Sequence, residues 1–461
     1  MDFSGKRILV VGLARSGWSA INVLSKRGAV LSACDSKSVE KLGEKYLELK
    51  DLGVRLYAGS YPQVDRGDYD LLVVSPGVPL QIAPIKQAYE AGIPVIGEVE
   101  LAFLLKAEGV EIYAITGTNG KTTTTALLQF IMKTAGKKAY SGGNIGVPLT
   151  ALLDQLEEGV IAVEMSSFQL DTSIDFRSHI CGLLNITPDH LDRHGSMESY
   201  IAAKAKIFAR QDSNDYAIFN YEDESLRKMA EFCPSQVIFF SSERILNEGA
   251  FVEDGTITVR LNSIKQPICS AAELLLRGRH NLDNILCAVL MAYIGGVQAE
   301  VICLALKTFK GVRHRMEEVA VHNGIIYIND SKATNPESVM RALESFNEPI
   351  ILIAGGRNKG SQFNILAQYI KAMVKELILL GEAKQDLKAA VIDAGFKNIH
   401  EVEDLEAAVA KSYELAQKGD VVMLSPACAS WDMFANYEQR GDLFCEAVRS
   451  VTGLPPKSGL E

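Results

Sequence analysis

The chain lacks any long apolar stretch, because no run approaches the roughly 18 consecutive apolar residues that a membrane-spanning helix requires. The first residues, MDFSGKRILVVG, lead into a short apolar strand and carry no signal-peptide core. The eight cysteines are scattered, with no CxxC pair and no regular spacing. We therefore expect a cytoplasmic protein whose cysteines are reduced and mostly buried.

Positive charge is also scarce: 47 lysines and arginines stand against 57 aspartates and glutamates, for a formal net charge of −10. This balance disfavours a nucleic-acid partner, since phosphate backbones select for basic surfaces. Hydrophobic residues make up 48% and charged residues 23% of the chain, which is typical of a folded globular protein. The 461 residues are enough for about three domains. We also expect a monomer.

Short apolar runs rich in β-branched residues alternate with amphipathic stretches along the chain, beginning with KRILVVG at 6–12 and including IPVIGEVEL at 93–101. Such continuous runs are typical of parallel strands buried on both faces. The pattern predicts three α/β domains: a Rossmann-like N-terminal domain at 1–97, a central P-loop-type ATPase domain with a mostly parallel sheet at 98–311, and a Rossmann-like C-terminal domain at 312–461. A turn-rich segment at 241–267 predicts a hairpin inserted late in the central domain.

The segment TGTNGKTTT at 116–124 lies between an apolar strand and a helix-forming run. Its glycines let backbone N–H groups face phosphate oxygens, Lys121 can reach the terminal phosphates, and a following hydroxyl can bind Mg²⁺. The loop is a shortened variant, because Ile115 stands where the longer pattern has its first glycine. We predict that this loop binds ATP.

An earlier loop, GLARSG at 12–17, is a weaker match to a dinucleotide-binding loop, because Ala14 replaces the second glycine. Asp35 ends the next predicted strand, where a ribose or base partner is expected. The loop fits an NAD-linked oxidoreductase, a structural βα turn, or a nucleoside diphosphate carried by the substrate. Ala14 and the separate ATP loop count against NAD.

Acidic and imidazole residues fall at the ends of predicted strands at 160–167 and 182–190: Glu164, Asp189 and His190. A carboxylate and an imidazole beside an ATP loop suit Mg²⁺. His190 and His194 could instead suggest zinc, although no cysteine or third histidine is near them in the sequence. Lys204 lies on the next predicted helix, and from the pattern alone we expect it to be solvent-exposed.

Nine segments resemble the Mur ligases of bacterial peptidoglycan synthesis in order and spacing along nearly the whole chain. They are TGTNGKTTT (116–124), GGNIGVP (142–148), EMSSFQL (164–170), NITPDHLDRHGS (185–196), RGRHNLDNILCA (277–288), RHR (313–315), NDSKATNP (329–336), AGGRNKG (354–360) and LSPACASWDMFANYEQRG (424–441). The last segment and the GLARSG loop resemble in particular the members that add D-glutamate to UDP-N-acetylmuramoyl-L-alanine.

The resemblance implies one ligand for each domain: the UDP-linked substrate in the first, ATP with two Mg²⁺ in the second, and D-glutamate in the third. The implied UDP-substrate contacts are Arg15, Ser16, Asp35, Ser36, Ser75, Gly77 and Asn144. The implied ATP contacts are Gly117, Thr118, Asn119, Gly120, Lys121, Thr122, Thr123, Asn281, Asn284, Arg315 and Asp330. The implied D-glutamate contacts are Lys332, Thr334, Lys359, Ser430, Trp431 and Tyr437.

The resemblance also implies a set of metal ligands and catalytic residues. The implied Mg²⁺ ligands are Thr122, Glu164, His190 and Lys204, the last as a carbamate formed with CO₂. The implied catalytic residues are Lys121, Glu164, His190, Lys204 and Arg315.

The chemistry that these residues suit is carboxylate activation. A carboxylate is a poor acyl donor, and phosphorylation by ATP turns one of its oxygens into a leaving group that an amine displaces through a tetrahedral intermediate. Cations and Mg²⁺ offset the charge on the transferring phosphoryl group. We expect an ATP-dependent ligase; the alternatives are another Mur-type amino-acid ligase, an NAD-linked oxidoreductase, and a non-catalytic nucleotide sensor.

Overall fold

A computed structural model of the chain describes residues 2–43, 45–144, 146–276 and 279–455. Three motif positions quoted above, Ile145, Arg277 and Gly278, lie outside the described residues. Three α/β domains with parallel-rich sheets follow one another along the chain. The predicted fold class is confirmed.

The first sheet is entirely parallel, in the order β3-β2-β1-β4-β5. Its strands are β1 (Arg7–Val11), β2 (Val30–Asp35), β3 (Arg55–Ala58), β4 (Leu71–Val74) and β5 (Val95–Gly97). Its helices are α1 (Arg15–Ser25), α2 (Val39–Leu42), α3 (Lys45–Asp51) and α4 (Ala83–Glu90). The order of the strands reverses between β1 and β4, so the loops after these strands border the crevice where such sheets bind ligands.

The apolar run at 93–101 is divided between two elements, so a strand through residue 101 was a wrong prediction. Strand β5 ends at Gly97, and helix α5 (Glu98–Leu105) begins at the next residue. Two acidic residues in the first turn favour a helix start, and the following LAFLL is a good helix-forming run. A short helix that is buried on all sides gives a continuous apolar run, and such a run cannot be distinguished in sequence from a buried strand.

The second sheet has nine strands in the order β14-β13-β12-β11-β10-β9-β6-β8-β7. The strands are β6 (Gly109–Thr116), β7 (Ala139–Gly143), β8 (Glu158–Glu164), β9 (Ile180–Leu183), β10 (Tyr216–Asn220), β11 (Gln236–Ser241), β12 (Gly249–Glu253), β13 (Thr256–Leu261) and β14 (Ile264–Ser270). The helices are α6 (Lys121–Thr134), α7 (Ser167–Asp171), α8 (Leu191–His194), α9 (Met197–Ala205), α10 (Glu224–Ala230), α11 (Arg279–Ile294) and α12 (Ala299–Thr308). Strands β12, β13 and β14 pair antiparallel, so the predicted hairpin region contains two successive hairpins.

The third sheet is parallel except for its first strand pair and has the order β15-β16-β20-β17-β18-β19. Its strands are β15 (Glu317–His322), β16 (Ile325–Asn329), β17 (Ile350–Gly355), β18 (Val374–Leu380), β19 (Ile399–Glu401) and β20 (Val421–Ala427). Its helices are α13 (Pro336–Leu343), α14 (Asn364–Met373), α15 (Lys384–Asp393), α16 (Leu405–Leu415) and α17 (Tyr437–Thr452).

The chain divides into two compact units. One runs to Leu274 and from Leu282 to Phe309 and holds the first two sheets; the other comprises Leu275–Asn281 and the residues from Lys310 onward. The divisions at 97 and 311 therefore stay predictions. Among the described residues, no helix has the length and apolar character needed to cross a membrane. All eight cysteines are free and six are buried, as expected.

Candidate active site

The phosphate-type loop leaves β6 at Thr116 and enters α6 at Lys121, which confirms its predicted place between a strand and a helix. Gly120 has a φ of +86°, and a Cβ there would lie 2.0 Å from Asn284 Oδ1, so only glycine fits without rearrangement. The Asn119 N–H donates to Asn185 Oδ1 at 2.8 Å. The loop is thus held in place at the N-terminus of α6, where backbone N–H groups favour phosphate.

Two lysine side chains converge on one backbone oxygen of this loop. Lys121 Nζ donates to Gly117 O at 2.8 Å, and Lys204 Nζ donates to the same oxygen at 2.9 Å. Lys204 is 1% exposed, and its Nζ lies 4.6 Å from the centre of the Tyr200 ring. Burial, and then the charge of Lys121, hold the pKa of Lys204 well below its ordinary value. The prediction of a solvent-exposed lysine was wrong.

Glu164 ends β8 beside the first turn of α6. It is 2% exposed, and it accepts hydrogen bonds from Thr122 Oγ1 at 2.9 Å and Asn144 Nδ2 at 2.7 Å. A carboxylate next to a hydroxyl is an oxygen pair suited to Mg²⁺. Asn144 contacts the carboxylate of the predicted metal site, while its predicted contact with the UDP substrate stays a prediction.

Asp189 and His190 lie in a loop, so the strand predicted through 190 was wrong: β9 ends at Leu183. His190 has a φ of 53°, and its Nε2 lies 3.5 Å from Asp189 Oδ2. His194 Nε2 lies 2.9 Å from Ser167 Oγ, and burial lowers the pKa of this ring. Within the described part of the chain, no three His, Cys, Asp or Glu side chains are arranged to hold a metal ion.

Sequence reasoning missed Arg193, which connects the first two sheets. Its guanidinium donates to Pro76 O and Val78 O, each at 3.2 Å, and lies 3.9 Å from the centre of the Phe168 ring. The loop after β4, predicted to bind the UDP substrate, is thereby attached to α8, which directly follows His190. The arginine itself can be seen in the segment DHLDRHG. Its role could not be predicted, because the carbonyl groups that it binds lie more than a hundred residues away in sequence.

The first glycine loop is held by its own neighbours. Ser75 Oγ donates to Gly12 O at 2.8 Å, and Asp35 Oδ2 accepts from the Leu13 N–H at 2.7 Å. Asp35 therefore has a structural contact within the loop, and its role toward the UDP substrate stays a prediction. The other residues predicted for this substrate are exposed or partly exposed: Arg15, Ser16, Ser36 and Gly77.

The residues predicted to bind the amino acid follow β16, β17 and β20, at the carboxyl ends where α/β sheets present ligand-binding loops. Lys332 Nζ lies 5.7 Å from the Tyr437 ring centre, and Lys359 Nζ lies 5.0 Å from the Trp431 ring centre. Trp431 is 62% exposed. Ser430 is buried and Thr334 is partly exposed. Each lysine is thus oriented by an aromatic ring.

Arg440 on α17 is a second residue that sequence reasoning missed. It is 2% exposed, and its Nη2 donates to Ser331 O at 2.8 Å and to Cys428 O at 3.2 Å. Its Nε donates to Ser331 Oγ at 3.0 Å. Burial lowers the pKa of Arg440 to about 10, so it keeps its charge at neutral pH. This guanidinium joins the loop after β16 to the loop after β20.

The residues predicted to contact ATP from α11 and from the C-terminal domain are largely buried. Asp330 accepts from Ser425 Oγ at 2.7 Å, and burial raises the pKa of this carboxyl to about 7, against the effect of Arg315. Asn281 and Asn284 are 5% and 3% exposed near the start of α11. The contacts of these residues with ATP stay predictions.

We expect Arg440→Lys to lower the free energy of unfolding by about 2–4 kcal/mol and to raise KM for D-glutamate, the amino acid that the resemblance implies, because a lysine cannot reproduce the forked contacts to both loops. Thermal unfolding and D-glutamate titrations measure the two effects. Arg341→Lys, at a partly exposed ion pair with Glu337 on α13, is the matched control and should change neither by much. If both variants changed the free energy of unfolding and the KM equally, Arg440 would not be the residue that joins the two loops.

Segments that match known proteins cover nearly all of the chain. Residues 6–97 match the Mur ligase MurD-like N-terminal domain, 115–292 the Mur ligase middle domain, and 314–428 the Mur ligase glutamate ligase domain. A UDP-N-acetylmuramoylalanine–D-glutamate ligase from Pelotomaculum thermopropionicum is 46% identical over 98% of this chain and 99% of its own. A ligase of the same name from Clostridioides difficile is 44% identical over 98% of this chain and all of its own.

Solved structures share the fold at low identity. A UDP-N-acetylmuramate–alanine ligase from Thermotoga maritima has a TM-score of 0.58 at 20% identity, over 97% of this chain and 100% of that chain. A MurF ligase from the same organism, in complex with ADP, has a TM-score of 0.58 at 14% identity, over 98% and 96%. At these identities the likeness shows the fold alone.

Proposed function

The chain belongs to the Mur ligase family, and we propose that it joins D-glutamate to UDP-N-acetylmuramoyl-L-alanine while ATP is converted to ADP and phosphate. The observation that carries this proposal is the 46% identity, over 98% of the chain, to a ligase named for these substrates. Because the chain belongs to this family, it is not the NAD-linked oxidoreductase that the first glycine loop also suggested.

The proposed reaction begins with transfer of the γ-phosphoryl group of ATP to the alanine carboxylate, which gives an acyl phosphate. The amine of D-glutamate then adds to the acyl carbon, and the tetrahedral intermediate collapses to an amide and phosphate. Lys121 stabilises the charge on the transferring group. For this its ammonium group exchanges its bonds to Gly117 O and Thr118 O for phosphate oxygens.

The pair of Thr122 and Glu164 fits Mg²⁺, because a buried carboxylate and a hydroxyl oxygen lie 2.9 Å apart beside the phosphate loop. When bound, Mg²⁺ would supply charge neutralisation of the phosphate oxygens. We propose that Thr122, Glu164, His190 and a carbamylated Lys204 hold it.

The carbamate on Lys204 is proposed from the position of its amine. A neutral amine adds to CO₂ and releases one proton, and the buried Lys204 next to Lys121 has the lowered pKa that favours a neutral amine. The carbamate would place a negatively charged oxygen ligand near the metal site, where an ammonium group would repel Mg²⁺. Its charge would also pair with the ammonium group of Lys121.

Hydroxylamine trapping tests the proposed intermediate. With ATP, Mg²⁺ and the UDP-linked substrate but no amino acid, we expect a hydroxamate of the muramoyl-alanine carboxyl group and a matching amount of ADP. Omission of ATP or of the UDP-linked substrate should abolish the hydroxamate. ADP formation without any trapped hydroxamate, under conditions where the complete reaction proceeds, would contradict the acyl phosphate.

We expect Lys359→Ala to lower kcat/KM for D-glutamate about 30- to several-thousand-fold, or about 2–5 kcal/mol, because one carboxylate of the substrate loses its cation. The KM values for ATP and for the UDP-linked substrate should change far less. Lys397→Ala, at an exposed lysine of the same domain, is the control and should leave all three near wild type. A tenfold rise in KM for ATP with an unchanged KM for D-glutamate would rule out this assignment.

A further inference from the structure

Asp432 joins two loops at the carboxyl ends of the third sheet. It lies in the loop after β20, and its Oδ2 accepts a hydrogen bond at 3.0 Å from the N–H of Glu382, in the loop after β18. A Cβ at Gly381 would lie 2.5 Å from the same oxygen, so the carboxylate lies directly against the backbone of the loop after β18. Because β17 lies between β18 and β20 in the sheet, this bond spans the carboxyl end of β17.

The segment that Asp432 anchors carries two of the residues predicted to contact the amino acid, Ser430 and Trp431. The segment forms a tight turn, in which the N–H groups of Met433 and Phe434 donate to Ser430 O at 3.2 and 2.8 Å. These bonds fix the backbone on both sides of Asp432. The contact of its side chain with the loop after β18 therefore sets the position of the whole turn.

The loop after β18 is itself bonded to the loop that carries Lys359. The Ala383 N–H donates to Gly356 O at 2.7 Å, and the Gly356 N–H donates to Leu380 O at 3.2 Å. Both bonds join the backbones of adjacent loops. A residue that anchors the turn to the loop after β18 therefore also sets the place of the turn relative to Lys359.

We infer that Asp432 is a positioning residue for the amino-acid substrate, which holds the turn with Ser430 and Trp431 where it meets the incoming amino acid. The inference rests on the proposed function, because it takes the amino acid to bind at the loops after β17 and β20. Asp432 acts through the residues that it places and takes no part in the transfer of the phosphoryl group.

The second carboxylate oxygen makes it possible to separate the hydrogen bond of Asp432 from its charge. Asp432 Oδ1 is buried and has no hydrogen-bond partner among the described residues. In Asp432→Asn the amide oxygen keeps the bond to the Glu382 N–H, while the amide NH₂ group takes the place of Oδ1 and breaks no bond there. Asp432→Ala removes the bond altogether.

Steady-state kinetics of the full-length enzyme test the inference. We expect Asp432→Ala to raise KM for D-glutamate about 10- to 100-fold, as for the loss of a hydrogen bond to a charged group, with kcat within about threefold of wild type. The KM values for ATP and the UDP-linked substrate should not change. Asp432→Asn should raise KM for D-glutamate by less than about threefold, because it keeps the bond. Hydroxamate formation without amino acid should be equal in all three proteins, since that step does not use the amino acid.

Asp393→Ala, at an exposed aspartate that ends α15 in the same domain, is the matched control and should leave every constant near wild type. If Asp432→Ala does not fold, Asp432→Ser takes its place with the same expected rise in KM, because the serine side chain is too short to reach the Glu382 N–H. An unchanged KM for D-glutamate, an equal rise in KM for ATP, or an Asp432→Asn variant as impaired as Asp432→Ala would overturn the inference. Failure of both the alanine and the serine variant to fold would also overturn it, since Asp432 would then support the domain as a whole.

Failure of the proposed function would appear in the wild-type protein instead. A wild type that forms neither the hydroxamate nor an amide with D-glutamate contradicts the ligase reaction, and the inference with it. A wild type that forms both, together with an unchanged KM for D-glutamate in Asp432→Ala, contradicts the inference alone.

Discussion

Lys204→Ala is expected to lower the rate of ligation by about 10³-fold or more, because the variant loses a proposed ligand of the metal that stabilises the transferring phosphoryl group. The lost activity should return in part when formate or acetate is added, since a short carboxylate can enter the space left by the buried side chain and supply the missing oxygen. ADP release against carboxylate concentration measures this rescue.

Lys206→Ala is the matched control for Lys204→Ala. Lys206 is two residues further along, and its Nζ pairs with Asp171 Oδ1 at 3.3 Å on a partly exposed surface. Its removal should leave activity within about twofold, because exposed ion pairs contribute little. A Lys204→Ala variant with full activity, or one that formate and acetate cannot restore while it remains folded, would contradict the carbamate.

We expect Lys121→Ala to lower the rate about 10²- to 10⁴-fold, or about 3–5 kcal/mol, because its charge contact is strongest in the transition state of phosphoryl transfer. The folded structure should survive, since the contacts that Lys121 makes to Gly117 O and Thr118 O are within its own loop. Single-turnover formation of ADP measures the chemical step directly.

Lys133→Ala, in the last turn of the same helix, is the control for Lys121→Ala. Lys133 is exposed and lies 5.9 Å from the centre of the Tyr140 ring, so its loss should have little effect on rate. A Lys121→Ala variant within about threefold of wild type would show that this loop is not the ATP site.

Local patterns in the sequence were enough to predict the three-sheet α/β fold and the loop before Lys121. Both follow from short-range signals: apolar runs mark buried parallel strands, and glycines mark a tight turn before a helix. The wrong predictions lie where such signals are ambiguous. Buried apolar residues after Gly97 form a helix, and the segment before His190 leaves the sheet after Leu183.

The contacts of buried charged side chains could not be predicted in this way, because they join segments distant in sequence. Lys204 meets Gly117 across 87 positions, and Arg440 meets Ser331 across 109. The pattern of apolar and polar residues around Lys204 fits a solvated helix lysine as well as one that is directed into the phosphate loop. Only the resemblance to a family gave Lys204 a role, and the structure adds the burial that makes its neutral amine favourable.

The most direct measurement of the central claim is ADP release with UDP-N-acetylmuramoyl-L-alanine and a panel of amino acids. D-Glutamate, L-glutamate, L-alanine, L-lysine and diaminopimelate would be compared at equal concentration, with the amide product identified by mass spectrometry. The account predicts sustained ADP release and one new amide bond with D-glutamate alone. Equal rates with L-glutamate or diaminopimelate would contradict it.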